Sequence, residues 1–347
     1  MAKTVRVGVI GTGAIALRQA QRLAQIEGVE IVAGCDISEA NLKTFTKTYP
    51  VRRTFADFRE MVQMPDLDAV TICTPNFLHK DPTVAALRAG KHVLVEKPMA
   101  MNAREAQEMV DAEKKSSVTL TMGFQFRLGP QVQALKKFVD AGRLGKVLFA
   151  RCQALRRRGI PSWGVFGRKE LQGGGPLIDI GVHIMECAHY LMGEPRPVAA
   201  GAQMFTYLGD KEPQALCPWG PWDWKTYTVE DLAFGLIRFD NGAVMSVESS
   251  FVAHVKEDVF NFQLMGEKGG CTYHPTVVYT DEEGSMVNIE PSYVGRWESM
   301  DRKIDDWIAR VRGEGQTQCP SEAGLNVQKM LDGLYASAAA GKEVPIA

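Results

Sequence analysis

The stretch Val5-Arg6-Val7-Gly8-Val9-Ile10-Gly11-Thr12-Gly13-Ala14-Ile15-Ala16 decides the fold. A β-branched run gives way to a Gly-x-Gly turn and then to residues with helical periodicity, the strand–turn–helix order of a dinucleotide fingerprint. In that reading Gly11 permits the tight turn, Gly13 lets backbone amides approach a pyrophosphate, and the small Ala16 lets helix pack close to strand. Gly11, Thr12, Gly13, Ala14 and Ile15 are thus the expected phosphate-facing residues, at a helix N-terminus whose dipole favours an anion. Alone, such a turn is only a tight connection; its strand, helix and downstream acid give it meaning. The acid is Asp36, 20 residues beyond Ala16. There a carboxylate accepts hydrogen bonds from ribose hydroxyls and repels a 2′-phosphate, which favours NAD over NADP. Ile37-Ser38-Glu39 offers no arginine to the phosphate, and Lys43 lies a helical turn on. The competing role for Asp36 is a helix cap before Ser38, which carries no such preference.

Outward from this turn, strand candidates at 5–10, 30–35, 69–73, 92–95 and 119–122 alternate with helical patterns at 14–26, 39–48, 81–89 and 103–115. That alternation marks an α/β Rossmann-type domain with a doubly wound parallel sheet, assigned to residues 1–124. Beyond it, longer strand candidates at 147–154, 198–207, 232–239, 243–251 and 259–265 mark a large, mostly antiparallel α+β sheet domain over 125–347, with a hairpin turn at Asp240-Asn241-Gly242. Helical patterns at 177–191, 300–312 and 321–340 accompany it, the last two being candidates for packing back on the first domain.

Composition narrows the class. Apolar residues make up 45% and charged residues 23%, enough for a sizeable core. With 40 basic and 41 acidic side chains the net charge is -1, which offers no field for nucleic acid or an anionic membrane. No apolar run reaches the roughly 20 residues a bilayer span needs. The seven cysteines are scattered without a CxxC pair, which argues against disulfides and zinc and for reduced thiols in the cytoplasm. No targeting pattern precedes Val5, and no HExxH or other ligand cluster appears, so no metal is expected.

Thr74-Pro75-Asn76-Phe77-Leu78-His79 follows the third strand candidate, Glu96-Lys97-Pro98 the next, and Gly173-Gly174-Gly175-Pro176-Leu177-Ile178-Asp179-Ile180-Gly181-Val182-His183 and Val229-Glu230-Asp231 lie further on. Together with the glycine turn, these resemble the Gfo/Idh/MocA oxidoreductase family over nearly the whole chain. The resemblance implies a Rossmann domain joined to a sheet domain. It also implies a homodimer or homotetramer through that sheet, and chemistry on inositols, aldoses, glycosides, anhydrosugars or nucleotide sugars.

It further implies that Thr74, Pro75, Asn76, Glu96 and Lys97 line the cofactor crevice, with a cis bond before Pro98. His79 either joins them or caps the following helix. Lys97 can polarise a carbonyl or stabilise a developing alkoxide, and a Glu96–Lys97 ion pair is awkward because adjacent strand residues face opposite ways. Asp179 and His183, four apart, share one helix face; His183 suits a general base, and Asp179 can orient it or bind a substrate hydroxyl. Arg127, Arg157 within Arg156-Arg157-Arg158, and Trp163 are the remaining substrate-contact candidates, each with a structural alternative: a salt bridge, a solvated or inter-subunit cluster, and interface packing. The Trp219-Gly220-Pro221-Trp222-Asp223-Trp224 insert reads either as a carbohydrate floor or as an oligomer interface. The implied reaction is NAD-dependent hydride transfer at a secondary carbinol of a sugar, glycoside or cyclic polyol. The alternatives are a redox-neutral epimerase, hydrolase or deglycosylating enzyme that recycles bound NAD, and a non-catalytic NAD(H) sensor.

Overall fold

A computed structural model describes residues 4–347. The chain forms two compact units: one runs to Leu128 and includes Trp297–Leu325, and the other comprises Gly129–Arg296 with Asn326–Ala347.

In the first unit six strands, β1 (Val5–Ile10), β2 (Val29–Cys35), β3 (Arg53–Phe55), β4 (Ala69–Ile72), β5 (His92–Val95) and β6 (Leu120–Met122), lie in the order β3-β2-β1-β4-β5-β6. Every pairing is parallel. Strands covered on both faces have no solvent side, so β1, β4 and β5 read as nearly unbroken apolar runs. The helix Ser299–Val311 brings Ile304, Trp307 and Ile308 into one core cluster with Val5, Val7, Leu23 and Leu94. Strand order reverses between β1 and β4, and a crevice at the carboxyl ends of such a pair is where an open α/β sheet takes ligands.

The second unit contains β7 (Val147–Leu155), β8 (Pro197–Phe205), β9 (Leu232–Phe239), β10 (Val244–Ser250), β11 (Val259–Gly266), β12 (Gly269–Thr272), β13 (Val277–Glu282), β14 (Ser285–Ile289) and β15 (Val344–Pro345). They form one sheet in the order β14-β13-β12-β11-β7-β10-β9-β8-β15, antiparallel except where β10 meets β7. Period-two alternation buries Ala150, Cys152, Met245, Val247 and Phe262 on one face, where Cys152 Sγ lies 3.7 Å from the carbonyl of Ile184 in the Val182–Leu191 helix. The opposite face leaves Phe234, Leu236 and Met265 exposed.

The sequence reading omitted β3, β12, β13, β14 and β15 and the helices Phe58–Met61, Pro130–Asp140 and Lys169–Gln172. It also ran one helix through 177–191, whereas the chain makes a π-helical turn over Leu177–Gly181 before the α-helix Val182–Leu191. Among the described residues no helix is long and apolar enough to cross a membrane.

Candidate active site

The turn after β1 is built as its glycines require. Gly11 has φ +80°, and a Cβ there would stand 2.8 Å from the backbone of Cys73, so the turn admits no side chain. Thr12 donates its backbone N–H (2.8 Å) and its hydroxyl (3.1 Å) to Asp36 Oδ2. Thr12 is itself buried and holds the acid beside the turn. Asp36 is not the helix cap either: Ser38 Oγ accepts from the Asn41 amide in that role, while Ser38 N donates to Asp36 Oδ1 at 2.9 Å. One carboxylate oxygen thus keeps acceptor capacity on a partly exposed residue, as a ribose hydroxyl requires.

The Ala14–Leu23 helix starts at Gly13 with no side-chain cap and no acidic residue in its first turn. A Cβ on Gly13 would meet nothing within 4 Å. Amides that no helix carbonyl can reach therefore face open space at a positive dipole end, and this donor set fits a pyrophosphate.

Two further loops leave the same sheet edge. Thr74 Oγ1 donates to the Leu78 carbonyl at 2.9 Å, Pro75 is exposed and Asn76 is buried. His79 is buried, its ring nitrogens 2.7 Å from the carbonyl of Pro98 and 2.9 Å from that of Thr74. It occupies the N-cap position of the Lys80–Arg88 helix without a side-chain cap bond, and its ring ties the Thr74 loop to the Pro98 loop. Burial holds its pKa below the ordinary histidine value, although both carbonyls favour the protonated ring. The Lys97–Pro98 bond is cis, as the resemblance implied.

Glu96 is an internal anchor. Its Oε1 accepts from Gln19 Nε2 (2.5 Å) and from the ammonium of Lys303, and Gln19 Oε1 in turn accepts from Thr71 Oγ1. Burial pushes the Glu96 carboxyl up, but Lys303, Lys97 and Gln19 bring it below the usual range. Lys303 reaches it from the Ser299–Val311 helix, a partner that the sequence reading missed. The half-buried Lys97 leaves the strand beside this anchor.

In the second unit Asp179 and His183 are 6% and 8% exposed. Asp179 sits in the π turn and His183 in the first turn of the α-helix, at a junction of the kind often found at functional sites. The residue that seats this turn, Glu230, was quoted in the sequence without a role. Its carboxylate accepts from the amides of Gly175 (2.9 Å) and Leu177 (3.3 Å) and from Tyr335 Oη (2.8 Å). A Cβ on Gly175 would lie 1.9 Å from the Glu230 carbonyl, so only glycine allows this approach. Ser249 Oγ, donating to the Pro176 carbonyl at 2.8 Å, fastens the turn to β10.

Two of the substrate-contact candidates make contacts within their own units. Arg127, 1% exposed, donates to the Gln318 carbonyl at 2.7 Å and lies over the Phe124 ring, a structural tie within the first unit. Arg157 is exposed and bonded to the carbonyl of Lys256 and, through its backbone, to Asp258. Its neighbour Arg156 points the other way, over the rings of Trp219 and Phe251; burial lowers its pKa, and Asp179 and Asp258 oppose that shift. Trp163 is exposed and packs on Trp219. Among the described residues no group of three or more His, Cys, Asp or Glu side chains is arranged to hold a metal ion.

A parallel sheet with a glycine turn, an uncapped helix start and an acid at the end of β2 defines a dinucleotide-binding protein of the oxidoreductase class. The family comparison makes this specific. Residues 5–124 match the oxidoreductase family's NAD-binding Rossmann fold and residues 136–346 its C-terminal alpha/beta domain, and the chain belongs to the Gfo/Idh/MocA oxidoreductase family. It is 35% identical to a D-glucoside 3-dehydrogenase of Escherichia coli, over 99% of this chain and 97% of that one. It is 30% identical to a myo-inositol 2-dehydrogenase of Thermotoga maritima, over 81% and 79% of the two chains. A solved levoglucosan dehydrogenase in complex with NADH and L-sorbose superposes with a TM-score of 0.83 at 25% identity, covering 99% of each chain.

Proposed function

We propose that this chain is an NAD-dependent dehydrogenase of a secondary carbinol on a sugar or glycoside, with a D-glucoside as the leading substrate class. The observation that carries the reading is that Asp179 and His183 are both buried, one on a turn held by a buried glutamate and the other at the start of the helix that follows it. A carbinol must lose its hydroxyl proton as it is oxidised, and a neutral imidazole can accept one. In this reading His183 takes the proton, Asp179 orients the ring and stabilises the imidazolium, and Lys97 stabilises the developing alkoxide. Asp36 and the amides following Gly13 would hold the dinucleotide. NAD, when bound, supplies the hydride acceptor. The D-glucoside 3-dehydrogenase, matched over nearly its full length, favours net oxidation over redox-neutral chemistry and over a sensor.

The exposed Phe234, Leu236 and Met265 on the open sheet face support a homo-oligomer through that sheet; a monomer in sedimentation would remove this part of the reading. The free cysteines support a reducing, cytoplasmic setting.

The test is NADH formation over a panel of glucosides, free sugars and inositols. His183→Ala and Lys97→Ala are expected to lower kcat/KM roughly 10²–10⁴-fold, with NAD affinity kept in His183→Ala. Undiminished turnover in both variants refutes the assignment.

A further inference from the structure

Tyr335 reaches the candidate catalytic turn from outside it. The residue lies on the Ser321–Ala340 helix, in the portion from Asn326 onward that belongs to the second unit. A Cβ on Gly174 would stand 1.9 Å from its Oη and 2.5 Å from its Cζ, so the phenol rests directly on the backbone that leads into the π turn. Position 174 is a glycine for this ring, as position 175 is for the Glu230 carbonyl. Nothing in Gly333-Leu334-Tyr335-Ala336 marks the residue as functional.

Three donors share the two oxygens of Glu230. Oε2 takes the Gly175 amide at 2.9 Å, while Oε1 takes the Tyr335 hydroxyl at 2.8 Å and the Leu177 amide at 3.3 Å. The terminal torsion of a glutamate is broad, so the carboxylate plane is set by its partners. On Oε1 the shorter contact is the hydroxyl, and it fixes the plane that the two turn amides meet. Gly175 passes that placement on, because its own carbonyl accepts the Asp179 amide at 3.1 Å. A continuous run of hydrogen bonds thus leads from Tyr335 through Glu230 and Gly175 to the backbone of Asp179, with His183 in the helix that follows. Ser249 Oγ holds the Pro176 carbonyl independently, so loss of the Tyr335 hydroxyl would release the carboxylate plane while the turn stays fastened to β10.

We propose that Tyr335 is a positioning residue for hydride transfer, acting through Glu230 to set where the Asp179 carboxylate and the His183 imidazole stand. This rests on the roles given above to those two residues and adds to them a side chain from the C-terminal helix. Without the hydroxyl, a phenyl ring still covers Gly174 and Glu230 still meets its two amides, but Asp179 is held less closely to the geometry that stabilises an imidazolium. A small misplacement of this kind is costly, because proton transfer needs donor and acceptor within hydrogen-bond reach.

Tyr335→Phe, Glu230→Gln and the double variant form the test, each assayed as the intact protein with the preferred glucoside of the panel. Tyr335→Phe should lower kcat roughly tenfold, with the KM values for NAD and glucoside within about twofold of wild type. In the Glu230→Gln background the same substitution should cost less than about threefold, because the group it acts through is already altered. The acid limb of the kcat/KM profile and the midpoint of the His183 ring titration followed by NMR should both move about 0.5 toward lower pH in Tyr335→Phe, since a displaced Asp179 favours the imidazolium less. A profile that is scaled down without moving, with an unmoved His183 midpoint, overturns the proposal and leaves Tyr335 a packing residue, and so does an equal loss in both backgrounds. If His183→Ala abolishes turnover while Tyr335→Phe behaves as wild type, the positioning role falls and the dehydrogenase reading stands. If His183→Ala keeps full turnover but Tyr335→Phe still moves the His183 midpoint, the positioning of the imidazole stands and the proposed reaction is removed instead.

Discussion

Glu96 and Glu230 are buried carboxylates beside the functional loops of their respective units, and they are held in opposite ways. Glu96 is met by a full cation, the ammonium of Lys303, with Gln19 as a second donor, and its pKa falls below the ordinary range despite burial. Glu230 is met only by neutral donors, two amides and a tyrosine hydroxyl, and burial wins, leaving its pKa raised. Dipoles thus satisfy the geometry of a buried carboxylate without compensating its charge, and a cation does both. The nucleotide side is consequently fixed by one concentrated interaction, and the Asp179–His183 turn by several dispersed ones.

Removing the concentrated partner should have the larger effect. Lys303 has a side-chain exposure of 0%, so Lys303→Ala leaves Glu96 uncompensated in the core, at a cost of about 3–5 kcal/mol in chemical denaturation. Lys303→Met combined with Glu96→Gln should recover most of that loss, because the charge is removed together with its partner. A loss below about 1 kcal/mol in the single variant would show that Glu96 needs no cation, and the contrast with Glu230 would vanish.

The same contrast explains what the sequence disclosed. The turn at Gly11 and Gly13 was legible because strand, turn and helix are contiguous, and Asp36 because its distance along the chain is set by one βαβ unit. Lys303 was not, since it reaches Glu96 from 207 residues away and nothing local distinguishes it from a surface lysine on an amphipathic helix. Glu230 meets Gly175 from 55 residues away. Asp179 and His183 were legible as a pair, but a spacing of four looks alike in a π turn and an α-helix, so the turn itself was hidden. The different surroundings of Arg156 and Arg157 were not legible, because side-chain direction after β7 depends on where the strand ends, and adjacent residues face opposite ways. β12–β14 escaped notice because Gly269-Gly270, Asp281-Glu282 and Ser285 break the apolar alternation that marks longer strands.

The smallest effect is the sharpest test of the comparison, because the two glutamates predict slopes of opposite sign in stability against pH. Glu96, depressed in the folded protein, contributes stability that is present above the ordinary carboxylate value of 4.5 and is lost as pH falls from there through its folded value. Glu230, raised, contributes stability that is present below 4.5 and is lost as pH rises through its folded value. Each slope is bounded at about 1.4 kcal/mol per pH unit, the value for one proton. Glu113 and Asp306, also raised by burial, add slopes of the Glu230 sign, so the wild-type profile by itself does not separate the contributions. The difference between profiles does: relative to wild type, Glu230→Gln should be flatter above 4.5 and Glu96→Gln flatter below it, as read by denaturant midpoints across the pH range. If both variants flattened the same limb, the two anchors would share one electrostatic design, and a cation on one side against dipoles on the other would make no difference to how the halves respond to protons.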